Sequence, residues 1–251
     1  MAKANQLEPV QAVERALQAL EIIAENGSMS LNDLHKSIKV NKASLLRTLF
    51  TLTENGYLSK DEKSGLYSMT MKTYQVGISS MQNIDRVSAI SNVIADLNRA
   101  TGCVAQFSVE DKDMALVLHS VGQWSSVYSS MGSRVPLYAC SSGKAILTGK
   151  SNEDILEAWQ TWDVKPLTEK TITDVNDFLK EISESRHRGY TIDDEENEYH
   201  YFCIGALVRG AGNVPVGAVS ITGDSLKKEK QHSKMVMEAA NRLSTMLGYI
   251  S

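Results

Sequence analysis

The sequence has few cysteines and no long apolar run. Its three cysteines, Cys103, Cys140 and Cys203, lie far apart, and none belongs to a Cys-x-x-Cys pair. This spacing argues against a disulfide framework and in favour of a reducing compartment. No apolar run approaches the roughly 18 residues that indicate a membrane span, and the first residues contain no apolar signal core. We therefore expect a soluble, cytoplasmic protein that has no membrane partner.

The sequence also lacks an overall excess of basic residues. The 251 residues carry a net charge of -4, so no global positive field indicates a nucleic-acid partner. Residues 1–81 contain 9 Lys and Arg against 8 Asp and Glu, whereas the remainder contains 17 against 22. A nearly neutral N-terminal part can still bind DNA if its few cations share one face. The length is sufficient for two domains.

The first predicted helix begins near Pro9, a residue that fits the first turn of a helix. Apolar residues then recur at helical spacing, at Val10, Val13, Leu17 and Leu20, and Asn26-Gly27 ends the run. We expect this helix to form the base of a small helical domain. Part of its apolar face is also available to pack on a second subunit.

A helix-turn-helix with a wing is predicted at residues 30–69. Ser30 and Asn41 are favourable N-caps for two short helices, and Asn55-Gly56 is a strong stop signal for the second. Two alternating segments, at residues 57–60 and 65–69, flank a polar turn and predict a two-stranded wing. A domain of this kind inserts its second helix into the major groove of DNA.

This second helix is therefore the predicted recognition helix. Arg47 is the best candidate for a bidentate contact to guanine. Lysines of the wing are expected to follow the phosphate backbone, which gives affinity more than specificity. The residues predicted to contact DNA are Lys42, Ser44, Leu45, Arg47, Thr48, Lys60 and Lys63. The alternative is that these are ordinary solvated residues of a small helical domain.

The rest of the chain predicts a mixed domain of strands and helices. Strands are expected at residues 104–109, 114–120, 127–130, 190–193, 202–208 and 214–222. Helices are expected at residues 152–160, 174–188 and 228–247, with a further helix beginning near Ser141. Strands and helices without strict alternation indicate an α+β domain around an antiparallel sheet. Helical segments within residues 71–101 connect this domain to the first, with the boundary near residues 78–85.

Four short motifs follow one another in this second domain. They are Pro136-Leu137-Tyr138-Ala139 with Gly143-Lys144-Ala145, then Arg188-Gly189-Tyr190 with Asp193-Asp194-Glu195-Glu196, then Cys203-Ile204, and finally Gly217-Ala218-Val219-Ser220-Ile221. Together with the helix-turn-helix and its wing, they resemble the IclR family of bacterial transcription regulators over nearly the whole chain. Tyr138, where the family usually has His, is a departure that bears on the ligand more than on the fold.

The resemblance implies a fold and a class of function. The implied fold is α+β, with a leader at residues 1–8, a winged helix-turn-helix domain at 9–71, a helical linker at 72–85 and a GAF-like effector domain with an antiparallel sheet at 86–251. The implied function is operator binding controlled by a small organic acid, with repression as the expected outcome. The implied assembly is a homodimer or homotetramer on a pseudo-palindromic operator. We expect no enzymatic activity, no cofactor and no metal.

The resemblance also implies an effector site, carried over residue by residue. Its polar wall is predicted to consist of Ser141, Ser142, Asp193, Cys203, Ser220 and Thr222, and its apolar side of Trp124, Val127, Val135 and Tyr201. The many hydroxyls favour a polyhydroxylated acid, such as a sugar acid, over an aromatic one. Free N–H groups at a helix start near Ser141 would favour a carboxylate. Alternatively, Ser141 and Ser142 only cap that helix, and Cys203 and Ser220 are small core-facing strand residues.

Other interpretations of the same residues stay open. The spacing Ser141-x-x-Lys144 occurs in acyl-transferring serine enzymes, although the companion Ser-Asp-Asn and Lys-Thr-Gly motifs are absent. A metal site would require Cys140, Cys203, His119 and His200 to converge, and their spacing gives no zinc signature. Asp194, Glu195 and Glu196 are expected in a solvated turn. A ligand-sensing module that acts through protein partners is the alternative to a DNA-binding regulator.

Overall fold

The computed structural model describes residues 9–80, 84–122 and 130–249, which form parts of two compact units. The first unit is Met1–Gln82 and the second is Asn83–Ser251. Three predictions lie outside the described residues: the leader at residues 1–8, the strand at 127–130 except for its last residue, and the roles of Trp124 and Val127.

The first unit has the predicted winged helix-turn-helix architecture. Its elements are α1 (Gln11–Asn26), α2 (Leu31–Ser37), α3 (Lys42–Glu54), β1 (Leu58–Lys60), β2 (Tyr67–Met69) and α4 (Met71–Ser80). β1 and β2 pair as an antiparallel hairpin, with Ser59 opposite Ser68. Both predicted N-caps are present, because the side-chain oxygens of Ser30 and Asn41 accept backbone N–H groups at 3.2 and 2.8 Å. The prediction of a helix-turn-helix followed by a wing is confirmed for this unit.

The core of the first unit lies between the three helices and the hairpin. Its buried side chains are Ala19, Ile23, Leu34, Ile38, Leu45, Leu49, Leu52, Leu58 and Tyr67. α1 differs from the prediction, because it starts at Gln11 and its N-cap is Val10. Val10, Val13 and Leu17 are each more than half exposed. Only the C-terminal half of α1 therefore contributes to this core, and an apolar stripe is left on its N-terminal half.

The second unit contains one six-stranded sheet and six helices within its described residues. The elements are α5 (Ile84–Thr101), β3 (Val104–Asp111), β4 (Met114–Val121), β5 (Arg134–Pro136), α6 (Ser141–Leu147), α7 (Asn152–Trp159), α8 (Val175–Arg188), β6 (Thr191–Asp194), β7 (Phe202–Arg209), β8 (Pro215–Gly223), α9 (Leu226–Gln231) and α10 (Ser233–Met246). The strand order is β5-β4-β3-β8-β7-β6, and every neighbouring pair is antiparallel. The predicted α+β class with an antiparallel sheet is confirmed.

The two faces of this sheet have different partners. Apolar residues such as Ile204, Val219 and Ile221 pack with α5 and α10 in one buried cluster. Ser220 and Thr222 alternate with Val219 and Ile221 along β8, so they belong to the other face. The single C-terminal helix predicted at residues 228–247 is two helices, which are separated at His232.

α6 covers the polar face of the sheet at very short range. A Cβ atom at Gly205 of β7 would lie 2.6 Å from the carbonyl oxygen of Ser141, so only glycine permits this approach. The Thr191 hydroxyl of β6 donates a hydrogen bond to the same oxygen at 2.6 Å. The first turn of α6 is therefore held directly against β6 and β7, above the residues that are predicted to bind the effector.

Candidate functional site

A small cavity lies between the start of α6 and the polar face of the sheet. Its volume is about 40 Å³. It is lined by Gln106, Val117, Val135, Cys140, Ser141, Ser142, Asp193, Asn197, Glu198, Tyr201, Cys203, Ser220 and Thr222. The structure thus brings together every predicted effector residue that it describes: Ser141, Ser142, Asp193, Cys203, Ser220, Thr222, Val135 and Tyr201.

Strand register explains why residues distant in sequence share this cavity. Asp193 on β6 lies opposite Cys203 on β7, and Cys203 lies opposite Thr222 on β8. Ser220, two residues before Thr222, lies opposite Gln106 on β3. Directly paired residues of antiparallel strands point to the same side of the sheet, as do residues two apart on one strand. The side chains therefore form one continuous polar patch.

The N-terminus of α6 is capped by a cysteine and not by the two serines. The Cys140 sulfur accepts the Gly143 N–H at 3.3 Å and lies 3.5 Å from the Ser142 hydroxyl oxygen. The alternative in which Ser141 and Ser142 serve only as the helix cap is therefore wrong, since Cys140 performs that role. Both serines are buried and line the cavity.

Asp193 is a buried carboxyl group in the cavity wall. Only 3% of the residue is exposed, and its Oδ1 atom accepts the Glu196 N–H at 2.8 Å. Burial, together with the nearby negative charge of Glu196, raises the pKa of Asp193 to about 7, against the opposing effect of the Lys144 ammonium. Near neutral pH, Asp193 is therefore present in both its protonated form, which can donate a hydrogen bond, and its ionised form.

Glu196 lies next to this wall in a buried ion pair, which corrects the prediction of a solvated turn. The ammonium of Lys144 on α6 donates to Glu196 Oε1 at 2.5 Å, and both side chains are almost completely buried. Burial raises the pKa of Glu196, and the Lys144 charge opposes this rise. Asp194 and Glu195 are more exposed and both pair with Lys170. The pair ties α6 to the segment after β6, and both elements contribute cavity residues.

The Ser-x-x-Lys spacing does not produce a serine nucleophile with a lysine base here. Lys144 is committed to Glu196, and no hydrogen bond joins Lys144 to Ser141 among the residues that the structure describes. A serine enzyme of this type requires the amine beside the hydroxyl. The geometry therefore gives no support to acyl-transfer chemistry at Ser141.

The thiols of the cavity wall are held in their neutral form. Burial raises the pKa of Cys140 to about 11 and raises that of Cys203 as well. The Cys203 sulfur lies 3.3 Å from the Thr222 hydroxyl oxygen. His200 is almost fully exposed and His119 lies on β4, and neither lines the cavity. Among residues 9–80, 84–122 and 130–249, no cluster of three or more His, Cys, Asp or Glu is arranged to hold a metal.

Five lining residues of the cavity were not predicted to bind the effector: Gln106, Val117, Cys140, Asn197 and Glu198. Gln106 is 6% exposed, and its amide nitrogen Nε2 has no hydrogen-bond partner among the described residues. A buried amide donor without a partner is rare, and a bound ligand or water is a common explanation. No motif surrounds Gln106. The alternating pattern of its strand was the only sequence signal that pointed to one face.

The predicted DNA contacts fall into exposed and buried groups on α3 and the wing. Arg47, Lys42, Lys60 and Lys63 are exposed, and Ser44 is half-buried. The Lys42 ammonium donates to Asn32 Oδ1 of α2 at 2.6 Å, so it lies beside the preceding helix. Lys42 and Arg47 lie on α3, Lys60 lies on β1 and Lys63 lies in the turn of the hairpin, and their contacts with DNA stay a prediction.

Two predicted DNA contacts are wrong. Leu45 has no exposed surface, because it packs in the core between α1 and α2. Thr48 is 8% exposed, and its hydroxyl donates to the carbonyl of Ser44 at 3.1 Å. Both side chains lie on the buried side of α3, where they pack towards the interior of the unit.

Comparisons with known proteins cover both units. Residues 78–246 match the family described as the C-terminal part of the bacterial transcriptional regulator IclR, and residues 12–62 match the IclR helix-turn-helix domain. The HTH-type transcriptional regulator KdgR of Escherichia coli K12 is 26% identical, over 98% of this chain and 95% of KdgR. The HTH-type transcriptional repressor AllR of the same strain is 25% identical, over 97% of this chain and 94% of AllR.

A solved structure has the same overall fold. The crystal structure of IclR from Thermotoga maritima superposes with a TM-score of 0.79 at 25% identity, covering 94% of this chain and 98% of that protein. As for membranes, none of the helices in the described ranges combines the length and the apolar character needed to cross a bilayer.

Proposed function

Because this chain belongs to the IclR family of bacterial transcriptional regulators, we propose that it binds operator DNA under the control of a small organic acid. The observation that carries the proposal is the cavity beneath α6, which gathers polar residues from α6, β3, β6, β7 and β8 at one point. Repression is the proposed outcome, and AllR, one of the relatives, is named a repressor.

The lining of the cavity supports an oxygen-rich effector. Hydroxyl groups of Ser142, Ser220 and Thr222 offer both donors and acceptors. The Gln106 Nε2 atom offers a buried donor that has no partner among the described residues. Leaving such a donor without a hydrogen bond costs about 1–3 kcal/mol. A hydroxylated acid, such as a sugar acid, supplies acceptors for these groups, whereas an aromatic acid supplies fewer.

The electrostatics of the cavity wall support an anionic effector that binds when Asp193 is protonated. A protonated Asp193 donates a hydrogen bond to an effector carboxylate, and an ionised Asp193 repels it. Since its pKa is about 7, the protonated form is accessible under ordinary conditions. Glu196, next to the wall, is balanced by Lys144 and does not add a full uncompensated charge, and Glu198 is a further carboxylate that lines the cavity.

The size of the cavity supports a coupling between effector binding and conformation. A volume of about 40 Å³ accommodates only a few water molecules, and an organic acid is larger. We therefore infer that the effector favours an arrangement in which α6 or its surroundings have moved. We propose that this arrangement differs in its fit to the operator, so that effector binding shifts the population between two states.

A dimer with two recognition helices completes the proposal. Half-sites about one helical turn apart, or a multiple of it, would each take one α3, with Arg47 reading a base and Lys60 and Lys63 contacting phosphates. The exposed apolar stripe of α1, formed by Val10, Val13 and Leu17, supports a contact with a second copy of the chain or a larger homo-oligomer.

Two measurements test the proposal, one for DNA binding and one for effector binding. A gel-shift assay with the DNA upstream of the protein's own gene tests DNA binding, and a salt-dependent, sequence-specific shift is expected. Calorimetry with a panel of sugar acids, and with hydroxyl-free and aromatic acids for comparison, tests the effector. Heat from at least one hydroxylated acid is expected. The absence of heat with every acid would refute the effector assignment, and the absence of any DNA shift would refute the operator assignment.

A further inference from the structure

Two large apolar side chains are exposed on the outer side of the recognition helix. Leu46 is 46% exposed and Phe50 is 62% exposed. They lie four residues apart, so they form one patch on a single face of α3. A different face of α3 already fills the core with Leu45, Leu49 and Leu52. Folding of the unit therefore does not account for apolar residues at positions 46 and 50.

The patch is one wall of a hollow between α3 and the hairpin. The hollow has a volume of about 370 Å³ and is open to solvent. Its other lining residues are Arg47, Thr53, Lys60 and Tyr67, and no carboxylate lines it among the residues that the structure describes. The Lys60 ammonium lies 5.5 Å from the centre of the Tyr67 ring. Apolar surface and two cations are thus combined within one concave site.

This combination fits the major groove better than it fits an apolar protein surface. An apolar partner would take Arg47 and Lys60 out of water without a counter-charge, which is costly. In DNA, phosphates line the edges of the major groove, and its floor offers one apolar group, the C5-methyl group of thymine. The cations and the apolar side chains would then both have suitable partners.

We propose that Leu46 and Phe50 contact thymine methyl groups and so specify thymine beside the base that Arg47 reads. The proposal rests on the proposed function, since it assumes that α3 enters the major groove. Four residues of helix rise about 6 Å, which is about two base-pair steps. The two side chains therefore address thymines one or two steps apart in each half-site.

The size of the effect follows from the burial of a methyl group. Burying one such group contributes about 0.8 kcal/mol, which corresponds to a change of about fourfold in affinity. Deoxyuridine differs from thymidine only by this methyl group and keeps the same hydrogen-bonding groups. A replacement of thymidine by deoxyuridine thus isolates the contact.

The experiment starts with selection of an operator from a random duplex library by the full-length protein. Each thymidine of the selected site is then replaced singly by deoxyuridine, and affinity is measured by fluorescence anisotropy. The wild-type protein is expected to lose about fourfold at one or two positions in each half-site. Phe50→Ala and Leu46→Ala are expected to bind more weakly and to lose the discrimination at one of these positions each.

A matched control uses an exposed apolar residue of the same unit outside the hollow. Met71→Ala, at the start of α4, is expected to keep the full thymidine preference, and thermal unfolding verifies that all variants are folded. If the wild-type protein binds its selected operator and no position distinguishes thymidine from deoxyuridine, the apolar readout is overturned while operator binding stands. If no DNA sequence is enriched at all, both the readout and the operator function are overturned.

Discussion

Replacing Asp193 by asparagine is expected to remove the pH dependence of effector binding. Asp193 lines the cavity, and burial with the charge of Glu196 raises its pKa to about 7. The charges that act on it are those of Glu196 and Lys144; Glu198 and the thiols of Cys140 and Cys203 are other titratable groups in the described lining of the cavity. Because the pKa of Asp193 is about 7, its protonation state changes between pH 6 and pH 8, and we expect effector affinity to follow this change.

The expected magnitude follows from the fraction of protonated Asp193. With a pKa of about 7, about nine-tenths of the carboxyl is protonated at pH 6 and about one-tenth at pH 8. If only the protonated form accepts an organic anion, the apparent Kd is the intrinsic Kd divided by this fraction. Affinity is therefore expected to fall about tenfold from pH 6 to pH 8.

Calorimetry at several pH values measures how effector affinity changes with pH. The effector should be one whose own carboxyl stays ionised throughout the range. Asp193→Asn should give an affinity that is nearly constant between pH 6 and pH 8. Asp194→Asn is the matched control, because it makes the same chemical change one residue away, on a half-exposed side chain that pairs with Lys170. A wild-type affinity that does not vary with pH, or an unchanged slope in Asp193→Asn, would refute the role of Asp193.

Asp193 also makes the free energy of unfolding depend on pH. The direction of its pKa shift sets the sign of this dependence. The pKa of Asp193 is raised in the folded protein from an ordinary 3.8 to about 7, so folding favours the protonated form. The stabilisation is complete below about pH 4 and is lost as pH rises through 7. The loss amounts to about 4 kcal/mol over this range. Urea unfolding of wild type and Asp193→Asn, compared at pH 4 and pH 8, measures it.

Three further substitutions test other parts of the structure. Arg47→Ala is expected to weaken operator binding by about 1–3 kcal/mol and to relax one base preference in a selection experiment, and unchanged binding and preference would remove Arg47 from the interface. Lys144→Met should destabilise the second unit by about 3–5 kcal/mol in urea unfolding, because it leaves Glu196 buried and unpaired, whereas a double variant with Glu196→Leu should recover most of this loss. Gly205→Ala should lower the free energy of unfolding by about 1–3 kcal/mol and weaken effector binding, since its Cβ meets the backbone of α6 at 2.6 Å. The control Gly77→Ala should be neutral or stabilising, because its Cβ meets no neighbouring element within 4 Å.

Much of the fold was predictable from local patterns in the sequence. N-cap residues such as Ser30 and Asn41, and alternating strand patterns, mark boundaries through short-range hydrogen bonds and side-chain direction. The strand β8 is an example, because the alternation of Ser220 and Thr222 with apolar residues places them on one face. For the apolar stripe of α1, the sequence left two partners open, the core of its own domain and a second subunit. Helical periodicity reveals an apolar face, but it does not reveal whether the face meets the core of the same chain.

The candidate site was only partly predictable, because the residues that were not predicted reach it through contacts between distant segments. Gln106 reaches the cavity through the pairing of β3 with β8, and nothing in its neighbouring residues indicates this pairing. Glu196 lies in a run of four acidic residues that is typical of a solvated turn, yet it is buried against Lys144. Leu45 was assigned to DNA although its helical position among core leucines indicated the buried side.

The linkage between effector and operator tests the central claim most directly. Operator affinity should be measured by anisotropy without effector and with a saturating concentration of the acid identified by calorimetry. We predict that the effector weakens operator binding by about 5- to 150-fold, and that operator DNA weakens effector binding by the same factor. Equal operator affinity in the presence and absence of bound effector would contradict the account, since a ligand that binds both states equally shifts neither.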